Sequence, residues 1–147
     1  METDETIKKG FLRLERYAQN IPGGFHCCAE DPENGYPFAY VSDRFLEILG
    51  WEREEFAARF DNRYTALIHP DDLAAGLRYR NAENSATYAK NGDSIFRILG
   101  KNGYRWVTNA ANQVEWYGKG YIVGTITDIT PYMELREKLE QQNRTQR

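Results

Sequence analysis

The chain is poor in the residues that covalent and metal chemistry most often need. Its two cysteines are adjacent, Cys27 and Cys28, and give no disulfide framework. Together with His26 they suggest a metal site, but successive strand residues point to opposite faces and cannot form one ligand set. His69 is the only other His or Cys in the chain, too few to complete a structural zinc site. Ser42, Ser85 and Ser94 sit in no Gly-x-Ser-x-Gly elbow. No apolar run approaches the ~20 residues of a membrane span. The acidic start, Met1-Glu2-Thr3-Asp4-Glu5, lacks the apolar core of a signal peptide. Basic excess is missing as well, since 19 Lys and Arg face 22 Asp and Glu for a net charge of −3. That removes the electrostatic case for nucleic acid or an anionic membrane as partner. A cytoplasmic location is the expectation.

Aromatic residues are abundant, at 14% with ten tyrosines. A tyrosine buries its ring while its hydroxyl seeks a partner, so a partly polar interior or a contact surface is implied. The chain is long enough for one domain that buries roughly 68–70% of its unfolded surface.

The stretch from Asp93 to Thr130 reads as a three-strand antiparallel meander. Ile95, Phe96, Ile98 and Leu99 mark the first strand, Trp106, Val107, Val114 and Trp116 the second, and Ile122, Val123, Ile126 and Ile129 the third. Lys101-Asn102-Gly103 separates the first two, with Asn-Gly suited to positive φ at both central turn positions. Gly118-Lys119-Gly120 separates the last two. Thr130-Pro131 then offers an N-cap and a first helical residue, so the sheet passes directly into a helix reaching Arg147.

Upstream, Ile7, Phe11, Leu14, Ala18 and Ile21 follow 4-3-4-3 spacing along a helix over Thr6–Asn20. That stripe suits either packing on its own domain or a seam shared with a second copy. Pro22-Gly23-Gly24 breaks the helix. Phe25–Ala29 and Phe38–Val41 read as a hairpin around Asp31-Pro32-Glu33-Asn34-Gly35. Ser42 or Asp43 caps a short helix with Phe45, Leu46 and Leu49 that stops at Gly50, and Glu52–Phe60 is a second helical piece. Asp71–Lys90 is expected as a longer helix, its two leading aspartates facing the positive end of the helix dipole. Segregated strands and helices indicate an α+β fold: a five-stranded antiparallel sheet with helices over one face.

These pieces resemble the PAS domain, in the subgroup whose helical section carries a His-Pro-Asp-Asp element. The resemblance rests on Tyr40-Val41-Ser42-Asp43-Arg44-Phe45 with Leu49-Gly50-Trp51, and on Ile68-His69-Pro70-Asp71-Asp72. It continues in Lys101-Asn102-Gly103-Tyr104-Arg105-Trp106-Val107 and closes on Gly124-Thr125-Ile126-Thr127-Asp128-Ile129-Thr130. It divides the chain into an N-terminal amphipathic helix over 1–20, a sensory domain over 21–130 and an exit helix over 131–147.

The resemblance implies a sensory or dimerisation module of bacterial signal transduction, with a histidine kinase, diguanylate cyclase or similar output domain beyond the C-terminus. On the exit helix Tyr132, Leu135, Leu139 and Gln142 recur at 3-4-3 spacing, which permits a pairing seam in a homodimer. Haem-binding relatives use a histidine on the long helix, and flavin-binding ones a reactive cysteine in an Asn-Cys-Arg-type motif. Neither occurs here, so no obligate cofactor is expected.

If a small molecule binds, the lining would come from Phe25, Cys27 and Tyr40 on one wall and from Phe45, Leu49, Tyr64, Ile68 and Leu77 as the lid. Phe96, Ile98, Thr108, Ala110 and Ile126 would face them, a set that a one-residue slip in register inverts. The signal would then pass through Asp128, Ile129 and Thr130, with Arg97 or Arg105 as partner of Asp128. Two other readings stand beside this one. One is a constitutive homodimerisation module that senses nothing, and the other is a small cone-shaped α+β enzyme, for which no acid–base constellation is evident.

Overall fold

Glycine and proline punctuate the chain where its backbone turns. Ser42 accepts from the Phe45 N–H at 3.2 Å and starts α1 (Asp43–Leu49), which ends at Gly50 with φ of 83°. Glu52 and Glu55 form a capping box at the start of α2 (Arg53–Phe60). The structure, a computed structural model, describes residues 23–78 and 94–145 together with Lys9 and Arg13. The stripe of Ile7, Phe11, Leu14, Ala18 and Ile21 lies outside the described residues.

The strands are β1 (Gly24–Ala29), β2 (Phe38–Val41), β3 (Ser94–Gly100), β4 (Gly103–Trp116) and β5 (Lys119–Asp128). All pairs are antiparallel, in the order β2-β1-β5-β4-β3. With α3 (Tyr64–Leu67) and α4 (Leu73–Gly76) following α1 and α2, this is the expected α+β architecture. Phe38, Phe45, Phe56, Phe60, Leu67, Phe96, Ile98, Val107 and Ile126 pack the core between helices and sheet.

Three local expectations need correction. Neither Lys101 nor Asn102 has positive φ; Gly103 does, at 125°. Both φ values are positive instead at Tyr117 and Gly118, 52° and 76°, the two residues that connect Trp116 to its pairing partner Lys119. That is the signature of a primed hairpin turn, whose hand matches the strand twist. The helix expected from Asp71 is also broken. Pro70–Asp72 is a 3-10 turn, and α4 ends at Gly76 with Leu77 at φ −100° and ψ 7°. The part of that expectation covering 79–90 lies outside the described residues. Finally, the Asp72 carboxylate turns away to Arg97 rather than serving the helix dipole.

The exit helix, α5 (Thr130–Thr145), begins at the Thr-Pro pair as expected. Thr130 does not cap it with its hydroxyl, however. The Met133 N–H donates to the Ile129 carbonyl at 2.9 Å, so Ile129 holds the capping position.

Candidate functional site

Two places in the fold bring chemistry-bearing groups together: the junction between β5 and the exit helix, and a polar pair inside the core.

At the junction, one Asp128 oxygen accepts from the Arg105 guanidinium at 2.7 and 3.0 Å. The other accepts from the Thr130 N–H at 2.9 Å. Thr130 Oγ1 accepts from the Trp106 N–H at 2.8 Å, and the Trp106 carbonyl accepts from the Ile129 N–H at 2.8 Å. The start of the helix is thus tied to β4 by the backbone of Ile129 and the side chain of Thr130, and to β5 by the backbone of Thr130. Burial raises the Asp128 pKa, but the bonds from Thr130 and Arg105 outweigh it and hold the carboxyl below its ordinary value.

Of the two expected partners of Asp128, Arg105 is the one in contact. Arg97 instead grips Asp72 through two guanidinium bonds, 2.8 and 3.0 Å, with its own N–H adding a third at 2.9 Å. These bonds lower the Asp72 pKa. The Arg97 guanidinium also lies 5.0 Å from the Trp106 ring centroid. A continuous set of contacts therefore runs from the Pro70–Asp72 turn through Arg97 and Trp106 to Thr130.

Inside the core, His26 Nε2 lies 3.0 Å from Asn109 Oδ1, both residues 1% exposed. Gly124 separates them on β5, where a Cβ would come within 2.8 Å of His26 Nε2 and 2.7 Å of Asn109 Oδ1. The bare glycine is what lets the pair meet. Tyr64 stacks on the imidazole at 5.4 Å and donates its hydroxyl to the Gly76 carbonyl at 3.1 Å. A cavity of about 10 Å³, room for one water, is lined here by His26, Cys28, Tyr64, Leu77, Asn109 and Ile122 among others.

Burial pushes the His26 pKa down from 6.5 to about 4, against the opposing bond to Asn109. The folded protein keeps this ring neutral where the unfolded chain takes up a proton. Stability is complete above pH 6.5 and falls as pH drops toward 4, by roughly 2 kcal/mol at pH 5. Urea unfolding at pH 7 and pH 5 measures the loss, and His26→Gln should abolish this part of the slope.

The expected lining residues divide between the two faces. Phe45, Leu49, Tyr64, Ile68, Phe96, Ile98 and Ile126 are buried in the helix-facing core, with Leu77 packed against it. Phe25, Cys27 and Tyr40 lie on the opposite face, in a cluster with Trp116, Tyr121 and Val123. Thr108 and Ala110 are half-buried and alternate with the inward Val107, Asn109 and Ala111. For β1, β2 and β4 the assignment was inverted by one residue. His26 and Asn109 are the polar ones among the missed inward positions, which include Cys28, Phe38 and Val107, and Gly124, the pairing partner of His26, is the available signal. Among the described residues no cluster of His, Cys, Asp and Glu could hold a metal ion.

Residues 38–126 match the family described as PAS fold. Among solved structures the chain is similar to a sensory box histidine kinase/response regulator from Burkholderia thailandensis. That match has 24% identity and a TM-score of 0.60, covering 90% of this chain and 96% of the other. It is also similar to an RNA-binding light-oxygen-voltage receptor, at 18% identity and a TM-score of 0.61. Here 97% of this chain is covered but 39% of the other. A PAS domain from Desulfitobacterium hafniense matches at 15% identity and a TM-score of 0.51, over 77% of this chain and 98% of the other. No curated protein sequence matches the chain.

Proposed function

The chain belongs to the PAS fold family, and we propose that it is the sensory module of a signal-transduction protein, relaying through its exit helix to an output domain. The observation that carries this reading is the double tie of Thr130 to Trp106 and Asp128. A change of twist in β4 moves the start of the helix with it, because no free linker intervenes. The contacts from Asp72 through Arg97 to Trp106 give the helical side of the domain a route to the same point. Solved neighbours from a histidine kinase and from other sensors support the choice of output class. The proposal gives the module no chemistry of its own.

The test is a fusion of this chain to a histidine-kinase core. Thr130→Val keeps the side-chain shape but removes the hydroxyl that accepts from Trp106. Kinase output should change severalfold while thermal unfolding of the module shifts little. Unchanged output would contradict the relay.

A second reading, constitutive homodimerisation, draws on the tightly filled core and on Tyr132, Leu135 and Leu139, which are 62, 56 and 52% exposed on the exit helix. These apolar side chains at 3-4 spacing suit a seam with a second copy. Sedimentation should show the dimer dissociating in Leu135→Glu/Leu139→Glu; an unchanged dimer places the seam elsewhere.

A further inference from the structure

The sheet carries a second apolar cluster, on the face turned away from α1–α4. Phe25, Cys27, Tyr40, Trp116, Tyr121 and Val123 form it, and every one of them belongs to a strand. Yet Cys27 is 1% exposed and Tyr121 6%, the burial of core residues. Burial of that depth marks a covered face, and a contiguous apolar patch left open would invite aggregation. Added strands cannot supply the cover, because both sheet edges are already engaged. On β2, Phe38 exchanges two hydrogen bonds with Asn62, at 2.9 and 3.0 Å, and the Val41 carbonyl accepts from Arg53 at 3.2 Å. On β3, Arg97 gives its N–H to Asp72 and its carbonyl accepts from the His69 N–H, both at 2.9 Å.

We propose that this face is the docking surface of the chain's own N-terminal segment, Thr6–Asn20, with Ile7, Phe11, Leu14 and Ala18 laid on the cluster. The proposal is independent of the relay to the exit helix. It takes the N-terminal stripe out of any seam with a second copy.

Position, length and polarity select this occupant. The segment ends shortly before Gly23, where a Cβ would come within 2.5 Å of Thr125 Cγ2. Thr125 pairs with Phe25, so the chain enters β1 pressed against the outer side of β5. As a helix, Thr6–Asn20 spans about 22 Å at about 1.5 Å per residue. The cluster follows β5 from Thr125 to Lys119, the partner of Trp116, a run of about 20 Å. Lys9 and Arg13 stand on the side of that helix opposite the stripe, and both are helical and exposed. The polar side of the segment therefore faces water, and the stripe faces away from it.

The experiment uses the whole chain with a nitroxide at Arg13→Cys, an exposed site, and ¹⁵N-tryptophan throughout; the native Cys27 and Cys28 are buried from the reagent. The chain has three tryptophans, and only Trp116 lies in the cluster. Trp106 stands near the other end of β4, about 34 Å away, and Trp51 bonds to Leu99 on the far edge strand. The expected result is a severalfold loss of the Trp116 indole signal relative to the reduced label, with Trp51 and Trp106 little changed. A second sample mixes spin-labelled chains without ¹⁵N and ¹⁵N chains without the spin label, and there the Trp116 signal should survive. No loss at Trp116, an equal loss at all three tryptophans, or an equal Trp116 loss in the mixed sample, which assigns the face to a second copy, would overturn the proposal.

Discussion

Phe45→Ala costs the domain about 3–5 kcal/mol, the range for deleting a fully buried ring from a packed core. Phe45 is 0% exposed. Its ring lies 6.0 Å from those of Phe38 and Phe56 and 5.6 Å from His26, so three elements lose a neighbour at once. The backbone around it cannot close the gap, because Phe45 Cα already packs against Gly24 so closely that a Cβ there would come within 2.7 Å. Alanine keeps the helix propensity of α1, so the loss reports packing alone. Urea unfolding of the variant measures it directly. A loss below about 1 kcal/mol would mean that the interior is loose enough to collapse.

Asp128→Ala acts locally. It removes the acceptor of the Thr130 N–H and frees the Arg105 guanidinium to solvent. Loss of a cap-like carboxylate costs about 1–2 kcal/mol, equivalent to a factor of 5–30 in opening. Amide exchange in the first turn of the exit helix should rise by about that factor, while the amides of β1 and β3 change far less. Equal acceleration throughout would make Asp128 a general stabiliser of the fold.

The elements were legible in the sequence because local chemistry and periodicity agree. Ser42 and Gly50 bracket α1, and Thr130-Pro131 marks where β5 ends. The faces of β1 and β4 were not legible, for a physical reason. Both sides of this sheet carry apolar clusters, so Phe25 and Tyr40 on the outer side look like core residues. Thr108-Asn109-Ala110-Ala111 has no apolar alternation to read, and its most polar member faces inward because His26 satisfies it. The pairing of Asp128 was narrowed to two arginines and no further. Arg97 pairs with Trp106 and lies on the outer face, whereas Arg105 pairs with Ile98 and shares a face with Val107 and Asp128, so the register of β3, β4 and β5 decides between them.

The claim at the centre of this account is that the sheet sets the direction of the exit helix through Asp128 and Thr130. Spin labels at Asn102→Cys and Lys138→Cys report it, since both sites are exposed and the native Cys27 and Cys28 are buried from the reagent. Pulsed EPR should give one narrow distance distribution in the otherwise native chain and a broad one when Asp128→Ala is added. The same narrow distribution in both would contradict the account.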